Sequence, residues 1–157
     1  MKKAFFALGA ALLGLAAPAD AQNVRPQDPG SVVQALKNGG YEATLGTDGV
    51  GDPMITSKVA GTTYQLFFYN CANHLNCATV EFHSAYHRPR PITLDEINQW
   101  NSSQRFGRAY LDKEGDPVLA MDVDLDHGGV SAPLFIDNVE FWASVLPKFE
   151  QLIGYRK

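Results

Sequence analysis

Glu81 and His83 stand two residues apart in a stretch that reads as a strand, with His87 four residues beyond. A carboxylate and an imidazole then share one face. That pairing suits general acid–base work, and it makes a periplasmic, hydrolase-like enzyme one reading of the chain. The plainer reading is an acid and a histidine exposed on the outer side of a strand. No Ser sits in a nucleophile elbow, and no phosphate-cradling loop or dinucleotide fingerprint is present.

Cys71, His74 and Cys77 have metal-ligand spacing. Zinc wants a fourth ligand, and none is obvious nearby in sequence. The two cysteines are also wider apart than the Cys-x-x-Cys of oxidoreductases. They sit where one expected strand ends and the next begins, so the expectation is a disulfide across strands leaving a short loop. Such a bond contributes on the order of 2 kcal/mol in the chain-entropy model. Asp122, Asp124 and Asp126 alternate, but a calcium loop starting at Asp122 would need Gly where His127 stands and an acid where Pro133 stands. The expectation is a solvated face, with Asp126 opening a turn at Gly128-Gly129. No metal and no cofactor is expected.

Arg105 and Arg108 flank Phe106-Gly107. Their guanidinium forks could grip a partner's carboxylate, or tie down the acidic turn at Asp112, Glu114 and Asp116; the tie is the favoured expectation. Aromatic side chains dominate interface energy. Tyr64, Phe67, Tyr69 and Tyr86, with Arg105 and Arg108, therefore form the candidate surface for a protein or peptide partner whose identity the chain does not disclose.

The chain opens with an N-terminal address. Lys2 and Lys3, an apolar run from Ala4 to Ala17, Pro18 and then Ala19-Asp20-Ala21 have the layout of a secretory signal peptide, with cleavage expected after Ala21. The run is too short to span a bilayer comfortably, so no membrane anchor is expected after cleavage. The short signal looks bacterial, which makes the expected compartment the periplasm. Removing 21 of 157 residues leaves 136, enough for one domain with a real core. Lys2, Lys3 and Asp20 leave with the signal, so 13 basic and 17 acidic side chains become 11 and 16, a net charge of −5. A mildly acidic domain does not suit nucleic acid.

Residues 22–29 read as a polar, flexible leader, and residues 30–157 as the domain. Asp28-Pro29 opens a helix that Asn38-Gly39-Gly40 ends. Tyr41, Ala43 and Leu45 alternate as a half-buried strand. Strands over Met54–Val59, Thr63–Tyr69 and Thr79–Tyr86 follow. Leu66 and Phe68 take one face of the second of these, Phe67 and Tyr69 the other. Such a strand is covered on both sides, or one face meets a partner. Thr93-Leu94-Asp95-Glu96 is a capping box, and Leu94, Ile97 and Trp100 are the apolar positions of its helix. A hairpin joins Ala109–Leu111 to Val118–Leu125. A last helix starts near Ser131, with Phe135, Val139, Trp142, Val145, Leu146, Phe149, Leu152 and Ile153 as its stripe. Pro147 predicts a kink or break near Ala143–Leu146. Strand runs with short turns and interposed helices favour an α+β architecture, an antiparallel sheet packed by helices.

The segment TLDEINQWNSSQRFGRAYLDKEGDPVLAMDVDLDHGGV, from Thr93 to Val130, resembles the YbjN family of bacterial proteins, described as sensory transduction regulators. The resemblance rests on Ile97-Asn98-Gln99-Trp100-Asn101, Arg105-Phe106-Gly107-Arg108-Ala109-Tyr110 and Gly115-Asp116-Pro117-Val118. Gly40-Tyr41, Asp52-Pro53 and Phe141-Trp142 support it, and it covers roughly Gly30 to Ile153. It implies a curved antiparallel sheet packed by helices, similar to type III secretion chaperones. It brings no catalytic set. The expected function is therefore a non-catalytic periplasmic binding or regulatory protein. The signal peptide and the Cys pair depart from the family's cytoplasmic members.

Overall fold

The computed structural model describes residues 23–88 and 90–156; the expected export segment, residues 1–21, lies outside them. Three helices and six strands follow in the order α1 (Pro29–Asn38), β1 (Ala43–Thr47), β2 (Pro53–Val59), β3 (Thr62–Tyr69), β4 (Thr79–Ala85), α2 (Leu94–Ser103), β5 (Arg108–Leu111), β6 (Pro117–Asp124) and α3 (Ala132–Leu152). The strands form one antiparallel sheet in the order β1-β2-β3-β4-β6-β5. The expected α+β class is the one observed. No described helix is long and apolar enough to cross a membrane.

The core lies on one face of the sheet. Ile55, Tyr64, Leu66, Phe68, Val80, Phe82 and Leu119 turn inward and meet Phe135, Val139, Trp142, Leu146 and Phe149 of α3, all essentially without solvent contact. Trp142 sits 5.8 Å, ring to ring, from both Tyr64 and Phe82. Side chains of this kind contribute about 1.5–3 kcal/mol each when fully buried. That grip carries α3 through Pro147 without a break. The predicted interruption does not occur: the stripe is anchored on both sides of the proline, by Trp142, Val145 and Leu146 before it and Phe149 after it.

Two apolar expectations fail. Leu94 is exposed at the first turn of α2, and Leu45 is exposed on the edge strand β1, where no second layer covers it. The leader is not free either. Val24 is buried and exchanges backbone hydrogen bonds with Val130 at 2.8 and 3.1 Å. Gly129 (φ +77°) makes this possible: a Cβ there would collide with the Val24 carbonyl.

Side chains of α2 fix the Ile97–Tyr110 stretch against the backbone of Gly107 and β5. The Trp100 indole N–H donates to the Gly107 carbonyl at 2.9 Å. Asn101 donates to the Ala109 carbonyl at 3.0 Å and accepts from the Ala109 N–H at 2.8 Å. Its carboxamide thus occupies the outer edge of β5 as a further strand would. Gly107 (φ +76°) lets the chain turn tightly beside Leu119 and Val145.

Candidate functional site

The second face of the sheet carries no helix. Its side chains fall in rows fixed by register. Phe67, Glu81 and Asp122 form one row across β3, β4 and β6; Gln65, His83, Ala120 and Arg108 form the next across β3, β4, β6 and β5. Ala120 ends at its Cβ, so the Arg108 side chain can reach over it toward the first row. Its Nη2 donates to Glu81 Oε2 at 2.6 Å and its Nε to Asp122 Oδ2 at 3.4 Å. The guanidinium also lies 5.2 Å from the Tyr110 ring. Tyr69 directs its hydroxyl at Glu81 Oε1, 3.5 Å away. Phe67 meets the His83 ring edge-on at 5.2 Å.

Glu81 is only 4% exposed, which overturns the expectation of an acid standing in solvent. The cause is its neighbours, which roof it over. Burial, then the adjacent Asp122 carboxylate, push its carboxyl above the ordinary value, with Arg108 opposing. Burial, then Arg108, hold the His83 imidazole below its ordinary value. Burial and Glu81 push the Tyr69 phenol up to about 12, and the same two causes raise Tyr110. For Arg108, burial works against the charge, but Glu81 and Asp122 outweigh it and hold the guanidinium above its ordinary value. The result is a roofed carboxylate under a fixed cation, ringed by aromatic groups. Glu81 bonds to Arg108 and Tyr69, and His83 faces Phe67 instead.

Of the predicted partner residues, the structure brings Phe67, Tyr69 and Arg108 together. It separates the others. Tyr64 is fully buried, stacked 5.8 Å from Phe82. Tyr86 is 5% exposed and donates to Glu150 at 3.1 Å. Both point to the helix side because they fall on the core-facing parity of their strands. Arg105 lies over Phe106, which stacks on Phe141 of α3, so it too belongs to the helix side. Neither arginine ties the acidic turn: Asp116 instead takes the Arg88 N–H at 3.2 Å and His87 at 3.1 Å.

Cys71 and Cys77 are disulfide-bonded, inside the β3–β4 loop and not between the strands themselves. Within that loop Asn73 and His74 both take positive φ, and Ala72 and Leu75 close a tight turn. His74 at its tip meets Asp52 of the β1–β2 turn at 2.8 Å. Asp122 joins the Arg108 cluster, while Asp124 accepts from the backbone of Asp126 in the turn that follows. Among the described residues, no three His, Cys, Asp or Glu side chains stand close enough to hold a metal ion.

One residue that sequence reasoning missed is Glu150. It sits wholly buried within the apolar stripe of α3, accepting from Thr62 (2.6 Å), Tyr86 (3.1 Å) and Arg156 (2.8 Å). Its position at a core-facing spacing was the available signal.

Comparison with known proteins gives one family match. The YbjN model, described as "Putative bacterial sensory transduction regulator", matches residues 28–154. No curated protein matches the chain.

Proposed function

The chain belongs to the YbjN family, and we propose that it is an exported, non-catalytic member that holds a protein or peptide partner on the open face of its sheet. The observation that carries this is the set of aromatic side chains, Phe67, Tyr69 and Tyr110, around the Arg108–Glu81 pair, on a face no helix covers. Rigid aromatic groups beside a fixed charge are the usual anchors of a protein interface. A catalytic Glu81 would need freedom to exchange protons with a substrate; here it is occupied by Arg108 and roofed over. The signal-like residues 1–21 and the Cys71–Cys77 disulfide support an extracytoplasmic address.

Affinity capture from the periplasm, run in parallel with wild type and Phe67→Ala/Tyr69→Ala, tests the reading. A partner retained by wild type and lost by the variant supports it. Turnover of a generic ester or phosphate substrate that disappears in Glu81→Gln would replace it with the hydrolase reading.

A further inference from the structure

The ladder between β3 and β4 ends at Gln65↔His83, although β3 begins at Thr62 and β4 continues to Ala85. Beyond that pair, Thr63 and Tyr64 stay with β2, opposite Lys58 and Ser57. Ser84 and Ala85 stay with β6, opposite Leu119 and Val118. The two central strands of the sheet therefore fork. Alternation of an antiparallel ladder turns the Thr63 carbonyl and the Ala85 N–H toward each other across the fork, and the ladder forms no Thr63–Ala85 pair.

A cleft of ≈ 630 Å³ occupies the gap, lined by Thr63, Gln65, Ser84, Ala85, Tyr86 and Arg156 among others. Its size falls within the range of ligand sites. Glu150 Oε1 bridges the two prongs, accepting from the Thr62 hydroxyl of one and from the Tyr86 hydroxyl just past the end of the other. Ser84 on the wall is 4% exposed, with its Oγ beside the Tyr86 hydroxyl.

We propose that the fork binds an extended peptide, one of whose backbone amides donates to the Thr63 carbonyl and accepts from the Ala85 N–H. A trans secondary amide presents a donor and an acceptor in opposite directions, as the missing ladder rung would. A carboxylate cannot donate to Thr63, and a cation cannot accept from Ala85. Ser84 Oγ supplies a third polar contact. This site stands apart from the open-face reading and does not depend on Phe67 or Tyr69.

The test is backbone amide exchange and chemical shift by NMR on the purified protein, titrated with the blocked peptide acetyl-Ala-Ala-Ala-N-methylamide. A second titration uses its analogue with every peptide N–H methylated. The expected result is that exchange of the Ala85 N–H slows about tenfold near saturation, the Thr63 carbonyl shifts, and the methylated analogue does neither. Ala85→Trp, at an exposed position in the mouth of the cleft, abolishes the response. An unchanged Ala85 amide, or an equal response to the methylated analogue, would mark the fork as a water-filled gap. Should Ala85→Trp disturb the fold, the comparison of the two peptides alone decides.

Discussion

Arg108 donates to Glu81 at 2.6 Å across the outer face of the sheet, and the Glu81 side chain keeps only 6% of its exposure. Removing the cation leaves a roofed carboxylate without its counter-charge. Arg108 is itself half-exposed, which moderates the loss. We expect Arg108→Ala to lower unfolding free energy by about 1–3 kcal/mol. Glu81→Gln in the same background should return most of it. Urea denaturation of the four proteins in the cycle measures both. A neutral Arg108→Ala would contradict this account of the pair.

His83 gives a pH signature. Its folded value lies below the ordinary 6.5 because of burial, then Arg108. Between those two values the unfolded chain binds more protons, so the stability contributed by neutral His83 is present above 6.5 and lost as pH falls toward the folded value. Glu81 acts with the opposite sign, since its folded value is raised above 4.5. Its contribution is present below 4.5 and lost as pH rises through the folded value. His83→Gln should therefore lose less stability than wild type on acidification between about pH 7.5 and 5.5. Parallel stability curves for the two proteins would count against a depressed His83.

The Asn101 carboxamide holds both backbone groups of Ala109 on the edge strand β5. Asn101→Ala should cost about 1–3 kcal/mol by leaving them without a fixed partner. It should also expose that edge to pairing with a second copy, read by sedimentation at rising concentration. Unchanged stability would show that Asn101 is a bystander.

The Cys71–Cys77 bond closes a loop of few residues. Its reduction should lower stability by about 2 kcal/mol, seen as a drop in thermal midpoint with dithiothreitol. The sheet should remain folded, because Leu66, Phe68, Val80 and Phe82 hold β3 to β4 and to the core independently of the loop.

Much of the architecture was written locally. Asp28 caps α1, Thr93 and Glu96 form the expected capping box, and Ser131 caps α3. The alternation in β3 set Leu66 and Phe68 on one face and Phe67 and Tyr69 on the other, and the first of these faces is the core. Strand parity also placed Tyr64 there, with Leu66 and Phe68, so its selection as a surface residue ignored the period-2 rule. The cluster was less legible. Arg108 meets Glu81 only because β5 joins β6 and β6 joins β4, a strand order that no local pattern contains. Val24 docks on Val130 through contacts that are remote in sequence. Pro147 obeys tertiary packing over its own propensity.

Site-specific photo-crosslinking in living cells separates a held partner from a bare sheet face. A photoreactive phenylalanine analogue is placed at Phe67 on the open face and, in a separate protein, at exposed Val50 in the β1–β2 turn. A discrete covalent adduct is expected from position 67 and none from position 50. Equal labelling from both positions, or no adduct from position 67, would contradict a partner held on the open face.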